Sequence, residues 1–201
     1  LLPRLQAASA LILDLPGYPR LSESMLGHFS TTALEGPQFC IPRRDAPGRG
    51  ARECRRWQVP SLEPHLDAPV VVLTDTSALS YAETLLTMFA EHRLATIVGR
   101  PSAGTNGNFT GLWLPAGYRL YFTGMSADGP DGNLRGRGVE PDVAVLPTRA
   151  GIAAGRDEVL EVAVAWLEAQ AGEVPGSRDP GPGIRSGDRT ADSLVPFSPV
   201  P

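Results

Sequence analysis

The residue best placed for chemistry is Ser80. It follows an apolar run, Val70 to Leu73, and a short polar stretch, Thr74 to Ser77. A serine at the start of a helix lies beside backbone N–H groups without intrahelical partners and beside the positive end of the helix dipole. An oxyanion formed when a hydroxyl attacks a carbonyl needs such donors. The pattern is therefore compatible with a nucleophilic serine.

The same stretch also fits a purely structural role. In a capping box, an N-cap serine side chain accepts a hydrogen bond from the helix backbone, and a glutamate at the third helical position accepts one from the N-cap N–H. Ser80 and Glu83 satisfy this pattern. The residues alone leave both roles open, a nucleophile and a helix cap.

The elements around Ser80 are predicted to be a strand, a tight turn and a helix. The run from Val70 to Leu73 is apolar at every position, which is typical of a strand buried on both faces. Apolar residues then recur at helical spacing, namely Leu79, Ala82, Leu85, Leu86, Phe89 and Ala90. This order places Ser80 where the helix begins.

Composition limits the function classes. With 201 residues and 42% hydrophobic residues, the chain is long enough for one domain with a core. A formal charge of −4 gives no electrostatic reason to expect nucleic acid, and no apolar run approaches the ~20 residues that span a bilayer. All 18 basic residues are arginine, so a lysine base is excluded within this chain. Because the sequence begins at Leu1 without an initiating Met, we expect it to be a piece of a longer protein.

Further patterns predict an α/β domain over residues 1–171 and a disordered tail over 172–201. Three more elements are predicted to be strands, and the remaining segments to be a hairpin and two helices. The strands are Ala10–Leu15, Leu94–Val98 and a short one that Val139–Val143 leads into and that ends near Val145; the hairpin is Phe109–Thr123; the helices are Leu21–Phe29 and one opening at Gly155. In the last helix, one face carries Leu160, Ala163, Val164 and Leu167 and is expected to dock on the sheet. The segment 124–138 is expected to be a loop.

The stretch from Gly36 to Trp57 is rich in arginine, proline and glycine and is predicted to be a long surface loop. It could be a solvated charged loop or an arginine site for a carboxylate such as a peptide C-terminus. Its two cysteines, Cys40 and Cys54, match no zinc pattern and are either a disulfide or two free thiols. A disulfide would favour an extracytoplasmic location, periplasmic or secreted.

Gly99 and Gly104 have the spacing of a phosphate-binding loop, but Thr105 stands where the loop's lysine would be. We therefore reject nucleotide binding. Gly104 and Gly107 are instead expected to let the backbone pass close to a neighbour or to a substrate. No cofactor and no metal are expected.

Four segments together resemble the tail-specific, or C-terminal-processing, proteases, a family with the tricorn core peptidase and the interphotoreceptor retinoid-binding protein repeats. They cover roughly residues 10–145. The segments are Asp14-Leu-Pro-Gly-Tyr-Pro-Arg-Leu21, Ser77-Ala-Leu-Ser-Tyr-Ala-Glu83, Val98-Gly-Arg-Pro-Ser-Ala-Gly104 and Gly138-Val-Glu-Pro-Asp142.

The resemblance implies a crotonase/ClpP-like layered α/β fold with a mostly parallel central sheet flanked by helices. It also implies a serine peptidase in which Ser80 is the nucleophile, and the backbone N–H of Tyr81 and a donor from the turn at Gly17 bind the oxyanion. The substrates would be peptides or protein C-termini. Strands left exposed by a missing N-terminal part would favour a homo-oligomer.

The sequence departs from the family pattern in two respects. First, no lysine is available, which excludes the Ser/Lys branch and leaves the tricorn-like branch, where a histidine activates the serine. His92 should lie about 18 Å from Ser80 along the helix, and His65 should lie at the far end of the central strand. We therefore expect the base to come from an upstream segment outside this chain, with His28 a weak internal candidate. Second, the family's paired glycines are Arg20 and Leu21 here, so a non-catalytic binding domain remains the alternative.

Overall fold

The computed structural model describes residues 1–129 and 132–172. The strands in this part of the chain are β1 (Leu11–Asp14), β2 (Leu34–Ala46), β3 (Arg49–Val59), β4 (Val70–Thr74), β5 (Thr96–Gly99), β6 (Phe109–Trp113), β7 (Arg119–Thr123), β8 (Ser126–Gly129), β9 (Gly132–Asn133) and β10 (Val143–Ala144). The α-helices are α1 (Leu2–Gln6), α2 (Tyr81–Glu91), α3 (Arg149–Ala153) and α4 (Glu158–Gly172), and 3₁₀ helices span Glu23–Phe29 and Pro115–Gly117.

A parallel sheet in the order β1-β4-β5-β10 forms the centre of the fold. Strand β4 pairs with β1 on one side and with β5 on the other, each over four residues. All three of these strands were predicted from their apolar runs. With helices against both faces, the sheet confirms the predicted α/β fold with a mostly parallel sheet flanked by helices.

Strand β4 is buried along its whole length because its two faces contribute to two different cores. Val70 and Val72 belong to the larger core, which includes Leu85 and Phe89 of α2. Alternate residues on the other face pack into a second core beneath α4. Side chains alternate across a strand, so a strand covered on both faces must be apolar at every position.

The predicted loop at 36–57 is wrong. These residues form the long antiparallel pair β2 and β3, whose register places Cys40 opposite Cys54. A disulfide joins the two cysteines. The arginines of β3 are exposed, as are most residues of this strand, so their number reflects an exposed strand and not a loop. The strands β8 and β9 continue this sheet in the order β3-β2-β8-β9, which also corrects the loop expected at 124–138.

The predicted hairpin is confirmed as β6 and β7, joined by the 3₁₀ turn Pro115–Gly117. The predicted helix before Phe29 is a 3₁₀ helix, begun by Ser22, whose hydroxyl accepts from the Ser24 N–H. The predicted docking face of α4 is right only in part, because Ala163 and Leu167 are buried whereas Leu160 and Val164 are each 39% exposed. The predicted tail lies outside the described residues, except for Gly172 at the end of α4.

Candidate active site

Ser80 lies at the turn that joins β4 to α2, as predicted, and has an unusual backbone conformation. Its φ is 52° and its ψ is −107°, a region that residues with a Cβ rarely adopt. Strained backbone of this kind is concentrated at functional sites. A sharp, strained strand-to-helix turn is also how serine hydrolases of another fold present a nucleophile. The strained backbone therefore marks Ser80 as a candidate functional residue.

Ser80 and Glu83 also make both reciprocal contacts of a capping box. The Ser80 N–H donates to Glu83 Oε2 at 3.2 Å, and the Ser80 side chain faces the Glu83 N–H, although this second contact lacks full hydrogen-bond geometry. The half-buried Ser80 side chain also lines a cleft of about 370 Å³. Tyr81 is the first residue of α2, so its N–H has no intrahelical acceptor, and none is found among the described residues.

The carboxylate of Glu83 links the serine turn to the downstream glycine loop. Glu83 is fully buried and accepts four hydrogen bonds. Besides Ser80, the donors are the Ser102 hydroxyl at 2.7 Å, the Gly104 N–H at 2.5 Å and the Thr105 N–H at 2.9 Å. A buried carboxylate requires such partners, so these contacts fix the helix start against residues 102–105.

The turn at Gly17 lies beside the serine turn. Its carbonyl accepts from the Leu79 N–H at 3.4 Å, one residue before Ser80. Gly17 has a φ of 72°, and its N–H donates to the Ser77 hydroxyl at 2.9 Å. In this arrangement the Gly17 amide is occupied, so a second oxyanion donor from this turn would have to come from a residue after Gly17.

The two glycines predicted to bind substrate are absent from the lining of the Ser80 cleft, and both lie close to the backbone of other segments. Gly104 has a φ of 70°, and a Cβ there would lie 2.9 Å from the Gly136 nitrogen. Gly107 has a φ of 119°, and a Cβ would lie 3.0 Å from the Met125 carbonyl oxygen. Both positions therefore allow close backbone approach. The residue between them in the cleft wall is Asn106, which is buried and donates to Thr84 Oγ1 at 3.1 Å.

None of the three histidines lines the cleft that contains Ser80. His28 contacts the Pro64 carbonyl at 2.9 Å, and His92 contacts the Glu35 carbonyl at 2.7 Å. His65 pairs with Glu63. His28, the internal candidate for the base, therefore lies outside the cleft lining, as do the other two histidines.

Sequence reasoning missed the extent of the contacts made by Glu83 and Trp57. The sequence showed that Glu83 is the third residue of the helix. It did not show that the Glu83 carboxylate accepts hydrogen bonds from residues about twenty positions downstream. Trp57 was assigned to a loop, whereas β3 carries it into the cleft. Phe39 and Ile41 alternate along β2 on either side of Cys40, and they lie opposite Arg55 and Glu53 of β3. This alternation was the local signal that could have revealed the two strands.

The ring of Tyr81 is anchored in the cleft wall by its hydroxyl, which donates to the Leu21 carbonyl at 2.7 Å and to Glu23 Oε2 at 3.0 Å. Burial, followed by the Glu23 carboxylate, raises the pKa of Tyr81 to about 12. A proton held more tightly in the folded state stabilises the fold fully below the unfolded pKa of 10.0, and the stabilisation is lost as pH rises through about 12.

We therefore expect the free energy of unfolding to fall as the pH rises from 10 to about 12, and to fall less steeply in Tyr81→Phe. Urea denaturation of the two proteins in parallel across this window measures both slopes. Identical slopes in the two proteins would show that Tyr81 is not the responsible group.

Two further findings concern the described residues only. No helix among them is both long and apolar enough to cross a membrane. In the same part of the chain, no group of three or more His, Cys, Asp or Glu side chains is arranged to hold a metal ion.

Comparison with solved structures identifies the fold. A protein from Parabacteroides merdae that was assigned as a peptidase superimposes with a TM-score of 0.68 at 20% identity, covering 80% of this chain and 52% of that one. Mature CPAF gives 0.65 at 17% identity over 83% and 45% of the two chains. The tricorn protease gives 0.56 at 19% identity over 81% and 15%. The chain thus spans about half or less of the length of these structures.

Comparison with curated protein sequences gave no significant match. The sequence profile of peptidase family S41 matches residues 28–145, which is more than half of the chain and contains Ser80, Glu83 and the glycine loop. This match agrees with the four-motif resemblance. The chain belongs to peptidase family S41.

Proposed function

We propose that this chain carries the nucleophile of a serine peptidase and that Ser80 is that nucleophile. The observation that carries the proposal is the strained backbone of Ser80 at the end of β4, with its side chain lining a cleft. Membership of a peptidase family supports the reaction class. The substrates are peptides or protein C-termini.

The proposed reaction combines the hydroxyl and backbone groups of this site with a histidine base from outside these 201 residues. The Ser80 hydroxyl attacks the carbonyl carbon of the scissile peptide bond, and its proton passes to a histidine outside these 201 residues. The Tyr81 N–H donates to the oxyanion that forms. The base then protonates the leaving amine, and water hydrolyses the resulting ester of Ser80 to release the acid. Glu83 acts as a positioning residue, since it holds the Ser80 N–H and the 102–105 loop.

A fluorophosphonate probe tests the nucleophile. We expect the intact protein to be labelled at Ser80 and Ser80→Ala to lose the label. Ser61→Ala is a matched control, because Ser61 is also a half-buried serine but donates to the Ser30 carbonyl away from the cleft. Equal labelling of Ser80→Ala and the parent would remove Ser80 from the mechanism.

A non-catalytic binding domain of the same fold is the second candidate. It is favoured by two observations: no histidine lines the cleft, and the Gly17 N–H is already occupied by Ser77. On this alternative, the intact protein would bind peptides without fluorophosphonate labelling or turnover. If the intact protein binds peptides but is neither labelled by the fluorophosphonate nor able to hydrolyse them, the non-catalytic binding domain is the correct candidate.

The Cys40–Cys54 disulfide supports an extracytoplasmic location, since such bonds persist in oxidising compartments. Maleimide labelling of the protein from its native cells should then require prior reduction.

The exposed apolar side chains of the β6–β7 hairpin support a homo-oligomer. Sedimentation velocity of the intact protein measures its oligomeric state.

A further inference from the structure

The cleft beside Ser80 has a continuous aromatic wall. The ring of Tyr81, the residue after Ser80, lies 5.8 Å from the ring of Tyr18 and 5.8 Å from that of Trp57. Trp57 in turn lies 6.1 Å from Phe39 on the neighbouring strand. All four rings line the cleft, and Tyr18 is 66% exposed. A substrate side chain next to the attacked carbonyl would meet this wall, which favours an aromatic or large apolar side chain.

The cleft also has a definite charge. Arg55 and Arg56 line it, and none of the described residues that line it carries a carboxylate. Arg55 has an exposed side chain whose contact with Glu53 is 3.2 Å, and Arg56 donates to the Gly36 carbonyl at 3.3 Å. Exposed ion pairs contribute little, so Arg55 can exchange Glu53 for a substrate carboxylate at small cost. The cleft is therefore positive in a chain whose formal charge is −4.

The lining of the cleft also includes two amide side chains. Asn106 is buried, and its side-chain oxygen accepts from the Gly107 N–H at 2.8 Å while its nitrogen donates to Thr84. Asn108 also lines the cleft and is exposed. An exposed amide both donates and accepts, which suits the backbone of a bound peptide. The cleft thus combines charged and aromatic groups with an amide that can bind peptide backbone.

We propose that this cleft selects peptides in which an aromatic or large apolar side chain is followed closely by a carboxylate. The apolar side chain packs on Trp57 and Tyr81, and the carboxylate pairs with Arg55 and Arg56. The carboxylate comes either from an acidic side chain or from the C-terminus of the peptide, since both present the same group to arginine. This inference rests on the proposed function, because it assigns the substrate class of the Ser80 site.

Binding to the intact protein carrying Ser80→Ala tests the inference, since peptide is then not consumed. Three labelled peptides serve as probes: Ala-Ala-Phe-Ala with a free C-terminus, the same peptide as its amide, and Ala-Ala-Phe-Asp as its amide. Fluorescence anisotropy should show one or both carboxylate peptides binding about tenfold more tightly than the neutral amide. The two carboxylate peptides distinguish a C-terminal from a side-chain source.

The double change Arg55→Gln and Arg56→Gln should remove this tenfold difference and leave binding of the neutral amide within about twofold. Trp57→Ala should weaken binding of all three peptides by about tenfold, because it removes the apolar contact. Arg44→Gln is the matched control: it makes the same charge change on β2, outside the cleft, and should preserve the difference. Circular dichroism melts verify that each variant is folded.

Equal affinities of the three peptides for the Ser80→Ala protein would overturn the inference. So would a charge preference that survives the double arginine change. The binding test does not depend on catalysis. If carboxylate peptides bind more tightly but the parent is not labelled by the fluorophosphonate, the proposal that Ser80 is a nucleophile is rejected and the proposed carboxylate site is retained. Labelling of Ser80 without a charge preference keeps the nucleophile and rejects this substrate class.

Discussion

Replacement of Glu83 with alanine is expected to lower the free energy of unfolding by about 3–5 kcal/mol. The change removes the acceptor for the Ser102 hydroxyl and for the N–H groups of Gly104 and Thr105, all packed around a fully buried carboxylate. Each buried donor left without a partner costs about 1–3 kcal/mol, and the deleted side chain leaves a cavity. Urea denaturation followed by circular dichroism measures the loss.

The isosteric change Glu83→Gln should cost less than the alanine change, because the amide keeps one acceptor oxygen. It should still slow fluorophosphonate labelling, since its NH₂ group would face the N–H of Ser80 or the donors of the 102–105 loop.

Glu91 provides a matched control on the same helix. Burial raises the pKa of Glu91, and its Oε1 is buried without a hydrogen-bond partner among the described residues. Glu91→Ala removes no accepted hydrogen bond at that oxygen, so we expect it to change stability by less than about 0.5 kcal/mol. Equal losses in Glu83→Ala and Glu91→Ala would show that helix position, and not the four contacts, accounts for the effect.

Replacement of Ser80 with glycine is expected to raise the free energy of unfolding by about 1–3 kcal/mol while abolishing fluorophosphonate labelling. At a φ of 52° and a ψ of −107°, a Cβ is strained and glycine is not. Ser80→Ala keeps the Cβ and should gain no such stability. A serine that lowers the stability of the protein is expected at this position if activity needs a strained site.

A pure helix cap would give a different result. Loss of an N-cap serine costs about 1 kcal/mol for alanine and a few tenths for glycine, so neither variant would be more stable than the parent. Ala116→Gly is a control for strain relief: Ala116 has a φ of 64° in the β6–β7 turn, away from the cleft. It should gain stability and retain labelling. If Ser80→Gly is no more stable than the parent while Ala116→Gly is, the strain at Ser80 is absent in solution.

Much of the parallel sheet could be predicted from short-range patterns. Strand β4 is visible as a continuous apolar run because it is buried on both faces. Helix α2 is visible as apolar residues at helical spacing because one face of it is buried. The hairpin β6–β7 was equally clear from alternation around Pro115 to Gly117. Ser80 could be found in the same way, since its position depends only on where that strand ends and that helix begins.

The β2–β3 pair left only a short local pattern, the alternation of Phe39 and Ile41. Arginine, proline and glycine dominate the rest of residues 36–57, and an exposed strand tolerates them. What holds β2 against β3 is their mutual register and the Cys40–Cys54 bond, together with the pairing of β2 to β8 more than eighty residues later. None of these contacts leaves a local pattern.

The sequence by itself determined a nucleophile-like serine at the junction of a buried strand and a helix, and the absence of any lysine to serve it. Only the tertiary structure decided what surrounds that serine: the four donors gathered on Glu83, the aromatic rings and arginines that β2 and β3 bring to the cleft, and the placement of all three histidines elsewhere. The physical reason is range. Periodicity records which face of an element is buried, whereas a site is made by side chains from elements distant in the chain, and their meeting depends on packing.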